Sequence, residues 1–281
     1  MLTKCYNLFL NAKYLTLDIS SSSLSISILA VVALQLHFIH SVLSLNQTNS
    51  YLQHICIKGE GTYNQESSYE SQLKRHLDYS INNYLDYGFI HGVGGEGPNT
   101  FYIKAQCRGD ASESECRSCL VTAFSGVTSF QYNLLACHTS VGRIIWYDNC
   151  FLYISTVYTY QKIDYKHYLY LHNAKDVSGG NTKLFNKNTR ALLYKLKEKA
   201  IRKEQKPYTR DYLYATAEES LGTMKLYGMM QCTQDLSVKN CSVCLDSVIA
   251  KLPKCCNGKQ GGRVLNPSCT FRFELYPFVR T

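Results

Sequence analysis

Six cysteines lie at spacings that could do chemistry: Cys107-x8-Cys116-x2-Cys119 and Cys232-x8-Cys241-x2-Cys244. A Cys-x2-Cys step is the spacing of a zinc knuckle, in which two thiolates reach one tetrahedral ion, and also of a thioredoxin-like redox pair. Both readings lack their context here. Each pair is followed by an apolar helical stretch and not by a second knuckle, and no alternating strand–helix–strand pattern surrounds either pair. Structural disulfides are the expected use, with no metal. Cys137-His138 places a thiol beside an imidazole, but neighbours on an extended strand point to opposite faces, so a nucleophile–base dyad is not expected. Asp148, in Trp146-Tyr147-Asp148-Asn149-Cys150, is a lone carboxylate and reads as part of an Asp-Asn turn beside an inward-pointing Trp146. The run His91-Gly92-Val93-Gly94-Gly95-Glu96-Gly97-Pro98 has the glycines of a phosphate loop without the Lys-Ser/Thr that follows them, and reads as a turn. No HExxH, GxSxG or P-loop motif occurs. The expectation is a non-enzyme with no catalytic residue and no cofactor.

The elements that must position these cysteines repeat. The three motif cysteines recur at one offset of 125 residues, and Cys137 and Cys150 recur as Cys256 and Cys269 at an offset of 119. The first copy therefore carries six extra residues, placed around Ser129–Leu134. Flanks agree as well: Ala105-Gln106-Cys107 matches Met230-Gln231-Cys232. This is a tandem duplication. Within the first copy, Ser67-x-x-Glu70 and Ser112-x-x-Glu115 are capping boxes that open two helices. Residues 100–106, 143–147 and 151–158 read as strands. The second copy repeats the order, with helices over 185–202 and 238–251 and strands over 212–217, 223–231, 263–265 and 270–276. Helices and antiparallel strands in about 110 residues imply an α+β fold, helices packed on one sheet, twice over. The boundaries are set at 50–158 and 168–281, with a linker over 159–167.

The chain has 281 residues, 45% of them apolar, which suits one or two globular domains and excludes wholesale disorder. Its net charge of +9 favours acidic partners; no nucleic-acid partner is expected. Residues 24–39 (LSISILAVVALQLHFI) are uncharged, with Lys4 and Lys13 upstream, and Val42-Leu43-Ser44 supplies small residues at a cleavage site. Residues 1–44 are read as a signal peptide, although the long stretch before the apolar run leaves a retained signal anchor as the alternative. Cleavage removes Cys5 and leaves twelve cysteines in an oxidising compartment, where disulfides form. Asn46-Gln47-Thr48 is a glycosylation sequon, so Asn46 is a candidate glycan site; Asn240-Cys241-Ser242 is discounted because of its cysteine. No second apolar segment follows, so no transmembrane anchor is expected after cleavage.

The phrases AQCRGDASESECRSCL, IIWYDNCFLYIS, MMQCTQDLSVKNCSVCL and CCNGKQGGRVLNPSCTFRFELYPF resemble the two halves of the plant cysteine-rich repeat secretory proteins, whose unit is the ginkbilobin-homologous domain. The resemblance covers roughly residues 50–281. It implies two helices on a five-stranded antiparallel sheet in each repeat. It also implies the pairings Cys56–Cys137, Cys107–Cys116, Cys119–Cys150, Cys232–Cys241 and Cys244–Cys269. Cys255 and Cys256 stand outside that scheme; a vicinal bond, two buried thiols or an intermolecular bond are all open. Relatives with the same tandem ectodomain continue into a membrane helix or a kinase, and the secreted branch is the expected match.

Ginkbilobin is an antifungal, mannose-binding lectin, and its sugar residues can be carried onto this chain. In the first repeat the positions hold Ile57, Ile144 and Ser155, which do not fit. In the second they hold Arg263 and Glu274, with Asn173 as the nearest candidate for the third. Arg, Glu and Asn together supply the donors and acceptors that vicinal hydroxyls require. The plain alternative is an Arg263–Glu274 ion pair across neighbouring strands. The expectation is a secreted, extracellular (apoplastic) carbohydrate-binding protein with a defence role. A protein-interaction module that binds receptor ectodomains or itself is the alternative, since the chain has 23 Tyr and Tyr is enriched at interfaces. A third reading, disruption of anionic surfaces by Lys195, Lys197, Lys199, Arg202, Lys203 and Lys206, competes with an ordinary solvated helix face.

Overall fold

The computed structural model describes residues 49–85, 87–128, 137, 139–178, 181–202, 207 and 209–280. Residues 1–44, read above as a signal peptide, Asn46, the six extra residues around 129–134, His138, Lys203 and Lys206 lie outside them. The first repeat runs β1 (Tyr51–Cys56), α1 (Ser68–Tyr84), β2 (Phe89–Gly94), β3 (Phe101–Cys107), α2 (Glu113–Thr128), β4 (Arg143–Tyr147) and β5 (Cys150–Ser155). The second runs β6 (Leu169–His172), α3 (Thr182–Ala200), β7 (Tyr214–Leu221), β8 (Met224–Cys232), α4 (Val238–Ile249), the short α5 (Leu252–Cys256), β9 (Gly261–Leu265) and β10 (Cys269–Glu274). Each repeat forms one five-stranded antiparallel sheet, in the orders β1-β4-β5-β3-β2 and β6-β9-β10-β8-β7. The strand orders superpose one on the other, as a duplication requires.

Local signals place the helices. Ser67 caps α1 by accepting from the Glu70 amide, while Glu70 reaches back to the Glu66 amide. At α2 the box closes on itself: Ser112 Oγ accepts from the Glu115 amide and Glu115 accepts from the Ser112 amide. Leu73, Leu77 and Ile81 of α1 and Leu120, Ala123 and Phe124 of α2 bury against Ile103, Ile145, Leu152 and Ile154 of the sheet. Phe185, Leu192, Leu193 and Leu196 of α3 and Leu245, Val248 and Ile249 of α4 do the same in the second repeat.

Three expectations are corrected. The glycine-rich run is not a turn along its length: His91 to Gly94 belong to β2 and pair with Lys104 to Phe101 of β3. Helix α1 lies so close over this strand that a side chain at Gly92 would overlap His76, and one at Gly94 would overlap Phe101. The strands β1 and β6 and the short α5 were not foreseen. Trp146 is buried, but not in its own repeat's core.

Strand β4 alternates. Ile145 and Tyr147 face the first repeat's helices, whereas Ile144 and Trp146 face outward and meet the second repeat. There they pack with Tyr153, Leu265, Leu169 and Leu171 in a cluster shared by both sheets. The duplication also shows in the hydrogen bonds of this interface. Gln106 and Gln231, equivalent by sequence, each donate through Nε2 to the other repeat's motif cysteine, at Cys232 O and Cys107 O, both at 2.9 Å. Asp110 and Asp235 are likewise equivalent. Asp235 accepts from the amide of Gln161, in the segment leaving the first repeat, and Asp110 accepts from the amide of Arg280, in the segment leaving the second. Each repeat's exit segment is thus clasped by the other repeat.

The structure joins Cys56–Cys137, Cys107–Cys116, Cys119–Cys150, Cys232–Cys241 and Cys244–Cys269, and it also joins Cys255 to Cys256. A bond between neighbours closes no loop, so it removes almost no entropy from the unfolded chain. Replacing Cys255 and Cys256 together by Ala is expected to cost only about 1 kcal/mol, from lost packing of two small buried groups. Urea unfolding of the double variant checks this; a loss on the scale of about 2–5 kcal/mol, typical of a native disulfide, would refute it.

Candidate functional site

Asn173 follows the edge strand β6, Arg263 lies at the centre of β9 and Glu274 ends β10. Because β9 runs between β6 and β10, its register brings the three together: Leu171 and Arg272 flank Arg263, and Glu274 lies opposite Gly261. The Asn173 amide donates to Gly261 O at 2.9 Å. Two glycines make the approach possible. A side chain at Gly261 would overlap the Glu274 carboxylate, and one at Gly262 would overlap Cys256 Sγ. Asn173, Arg263 and Glu274 line one open hollow of about 220 Å³, together with Gly262, Tyr276 and Leu52, the last from the first repeat.

The charges are arranged differently from the sequence reading. Arg263 does not pair with Glu274. Its Nη1 donates to Asp148 Oδ1 at 2.6 Å, across the inter-repeat interface, and Arg272 Nη1 donates to the same oxygen at 3.2 Å. Arg108 Nη1 reaches Asp148 Oδ2 at 3.4 Å. Glu274 instead accepts from Arg272 Nε at 3.0 Å, and Arg272 stacks over the Phe278 ring at 4.1 Å. Asp148 is therefore no simple turn residue: it is the anion at which three guanidiniums from two repeats meet. Burial works against its ionisation, but Arg263 and Arg272, with the Arg263 hydrogen bond and Arg108, outweigh it and hold its carboxyl below the ordinary value. Burial, and next Arg272, lower the pKa of Arg263, opposed by Asp148 and Glu274.

In the first repeat the equivalent positions serve packing. Ile144 and Ile57 belong to the inter-repeat cluster, and Ser155 Oγ donates to Glu60. Among the described residues, one group has metal-like proximity, His54 with Cys56 and Cys137. Its two sulfurs are bonded to each other, so neither is a thiolate ligand. Three lysines of α3 are engaged too: Lys195 pairs with Glu219, Lys197 with Asp246, and Lys199 donates to Thr216 O.

Asp148, Arg272, Arg108, Lys104 and Asp235 were missed by sequence reasoning as a set. Asp110 and Asp235 did carry a signal, since each stands three residues after the first motif cysteine of its repeat.

Two disulfide-stapled α+β repeats, locked through the outward faces of their sheets, define a tandem extracellular module. Residues 55–157 and 173–276 each match the salt stress response/antifungal family model. A cysteine-rich repeat secretory protein of Arabidopsis thaliana, number 10, is 78% identical over 260 residues, spanning 92% of this chain and 99% of the relative. Number 29 of the same plant is 46% identical over 258 residues, 91% of this chain and 97% of that one. The crystal structure of the tandem DUF26 ectodomain of the Arabidopsis thaliana cysteine-rich receptor-like protein PDLP8 shares the fold, with a TM-score of 0.64 at 21% identity over 81% of this chain and 99% of its own. That of PDLP5 matches with a TM-score of 0.61 at 22% identity, over 81% of this chain and 100% of its own. The chain belongs to the salt stress response/antifungal family, among the cysteine-rich repeat secretory proteins, and is a secreted, extracellular protein. Among the described residues, no helix is long and apolar enough to cross a membrane.

Proposed function

We propose that this is a non-enzymatic recognition protein of the apoplast, with a defence role, whose second repeat binds a mannose-type sugar unit. The observation that supports it is the convergence of Asn173, Arg263 and Glu274 on one hollow. Asp148 fixes the guanidinium of Arg263 through one nitrogen, and Arg272 fixes Glu274 through one oxygen, which leaves donors on the first and an acceptor on the second. Charged groups held in place hydrogen-bond a ligand with little ordering cost.

The test is calorimetry of the mature protein with mannose and with mannan. Arg263→Ala is a poor probe, because it also strips Asp148 of a partner. Asn173 stands outside the inter-repeat ion cluster, so Asn173→Ala is expected to abolish measurable binding while leaving the thermal midpoint within a degree or two of wild type. Glu274→Gln is expected to weaken binding by about tenfold, as loss of one charge-assisted hydrogen bond would. A correctly bridged wild-type protein that binds neither ligand refutes the proposal. A second reading, a protein-interaction surface, is favoured by an exposed patch at the edge of the first sheet. Tyr158, flanked by Tyr102 and His91, lies there near the exposed Val93 and Val157. Concentration-dependent light scattering, alone and with receptor ectodomains, separates the two.

A further inference from the structure

The two repeats differ at one pair of sheet positions near their junction. His91 of β2 lies directly opposite Lys104 of β3, and opposite neighbours share one face of a sheet. The equivalent pair in the second repeat is Thr216 and Met229. The first repeat thus places a titratable ring and an ammonium where the second has a hydroxyl and a thioether. What Lys104 holds is a turn in the segment that leaves the first repeat. Its Nζ donates to Thr159 O at 3.1 Å and pairs with Asp235 Oδ2 at 2.7 Å, and the same Oδ2 accepts from the Gln161 amide at 2.7 Å. The turn closes through the Lys162 amide, which donates to Thr159 O at 3.3 Å, and Gln161, its third residue, has φ 59°. That left-handed conformation favours Gly or Asn and is unfavourable for Gln, so the turn depends on being gripped from outside.

His91 sits against this turn, its ring centroid 4.3 Å from that of Tyr160 and 6.1 Å from that of Tyr158. Its Nε2 is shut off from solvent and has no hydrogen-bond partner among the described residues, and the same holds for Asp235 Oδ1. A neutral imidazole can leave one ring nitrogen bare, whereas an imidazolium must donate from both. The spare acceptor of this cluster is Asp235 Oδ1. Facing the spot are Tyr102 and Lys104 from β3, Tyr153 from β5, Tyr158, Tyr160 and Lys162 from the exit segment, and Asp235 from the second repeat. Strand β2 itself brings no other charge. Burial lowers the pKa of His91; Asp235 opposes that in part, and Lys104 adds to it.

We infer that His91 is a proton-operated catch on the path between the repeats. Neutral, it stacks on Tyr160 and leaves Asp235 to Lys104 and the Gln161 amide. Protonated from solvent, it becomes a second cation competing for that one carboxylate, and the grip on the turn loosens. The folded value lies below the unfolded one of about 6.5, so the catch is fully held above about pH 6.5 and is lost as pH falls below it. Histidine is the side chain whose charge ordinarily changes in this range. The inference does not rest on the sugar reading of the second repeat.

NMR of the full mature chain between about pH 7.5 and pH 5, above the ordinary carboxylate range, tests it. The histidine ring signals are titrated, and exchange of the Gln161 amide is read as protection relative to an unstructured chain at each pH. The His91 ring is expected to titrate below 6.5, and Gln161 protection to fall about fivefold across the range, the scale of one net hydrogen bond. His91→Phe keeps a ring on Tyr160 and His91→Gln keeps a polar group; both are expected to remove that fall. Burial also lowers the pKa of His54 and His76, and any acid loss they cause persists in both variants. An equal fall in wild type and both variants overturns the inference, as does a wild-type protection that stays level. A His91 ring that titrates above 6.5 overturns it too, because Asp235 would then be stabilising the imidazolium and acid would tighten the turn.

Discussion

Asp148→Asn is expected to destabilise the protein by about 3 kcal/mol and to separate the unfolding of the two repeats. The substitution keeps size and shape and removes one charge. Arg263 and Arg272, 15% and 9% exposed at their side chains, are then left facing each other across β9 and β10, with Glu274, paired to Arg272, as their remaining carboxylate. Breaking a buried pair by removing one partner typically costs about 3–5 kcal/mol, and partial exposure of Asp148 argues for the lower end. The same change removes an acid dependence. The folded-state pKa of Asp148 is depressed, so its contribution is fully present above its unfolded value of about 3.9 and is lost as pH falls through the lower folded value. Wild-type coupling between repeats is therefore expected to decline below about pH 4, and that part of the decline is expected to be absent in Asp148→Asn. Urea unfolding from pH 7 down to pH 3, followed by repeat-specific amide exchange, reads both effects. An unchanged single transition, or the same acid slope in both proteins, would show that Asp148 does not hold the repeats together. Because Asp148 also fixes Arg263, the variant is expected to bind sugar less well, which links the inter-repeat lock to the hollow beside it.

Much of this architecture was legible. The capping boxes at Ser67 and Ser112 and the spacing of Leu73, Leu77 and Ile81 give the helices of the first repeat from local physics alone. The 125-residue offset gives the second repeat from the first. Strand β1, Tyr-Leu-Gln-His-Ile-Cys, escaped because it mixes polar and apolar residues without a clean alternation, and β6 because it has only four residues. The strand Arg143-Ile-Ile-Trp-Tyr carries its outer contact in its composition. Its apolar residues are consecutive, as in a strand covered on both faces, and its outer face does meet the other repeat. The ion cluster was not legible, because Asp148 and Arg263 are 115 residues apart and nothing local to either specifies the other. Family resemblance pointed to Arg263 and Glu274 as sugar residues but carried no information about their partners in a tandem context. A repeat aligned by itself does not contain the surface that its neighbour contributes.

Lys104 and Asp235 form the most deeply buried ion pair among the described residues, at 2.7 Å with side chains 1% and 0% exposed. Lys104→Met is expected to cost about 3–5 kcal/mol, because it leaves the Asp235 carboxylate without its cation in a site closed to water. Asp235→Asn is expected to cost a similar amount through the uncompensated ammonium. The double variant Lys104→Met, Asp235→Asn is expected to recover most of the loss, giving a coupling of about 2–3 kcal/mol in a double-mutant cycle read by urea unfolding. Two near-additive single losses would mean that each residue acts alone through its other bonds. Those bonds show why the pair exists. Lys104 also donates to Thr159 O at 3.1 Å, and Asp235 also accepts from the Gln161 amide at 2.7 Å, so both ends grip the segment that leaves the first repeat. In the second repeat the position of Lys104 is held by Met229, so this sheet geometry accepts a methionine there without a charge. The equivalent aspartate, Asp110, uses Arg108 instead and holds the Arg280 amide. An apolar pair would stabilise the sheet as well as the ion pair does, but it would leave the amide of Gln161 with no acceptor. The charges are therefore best understood as fixing the path by which one repeat hands the chain to the next, and amide exchange at Gln161 is expected to rise most in Lys104→Met, Asp235→Leu, which leaves that amide no acceptor, even where stability returns.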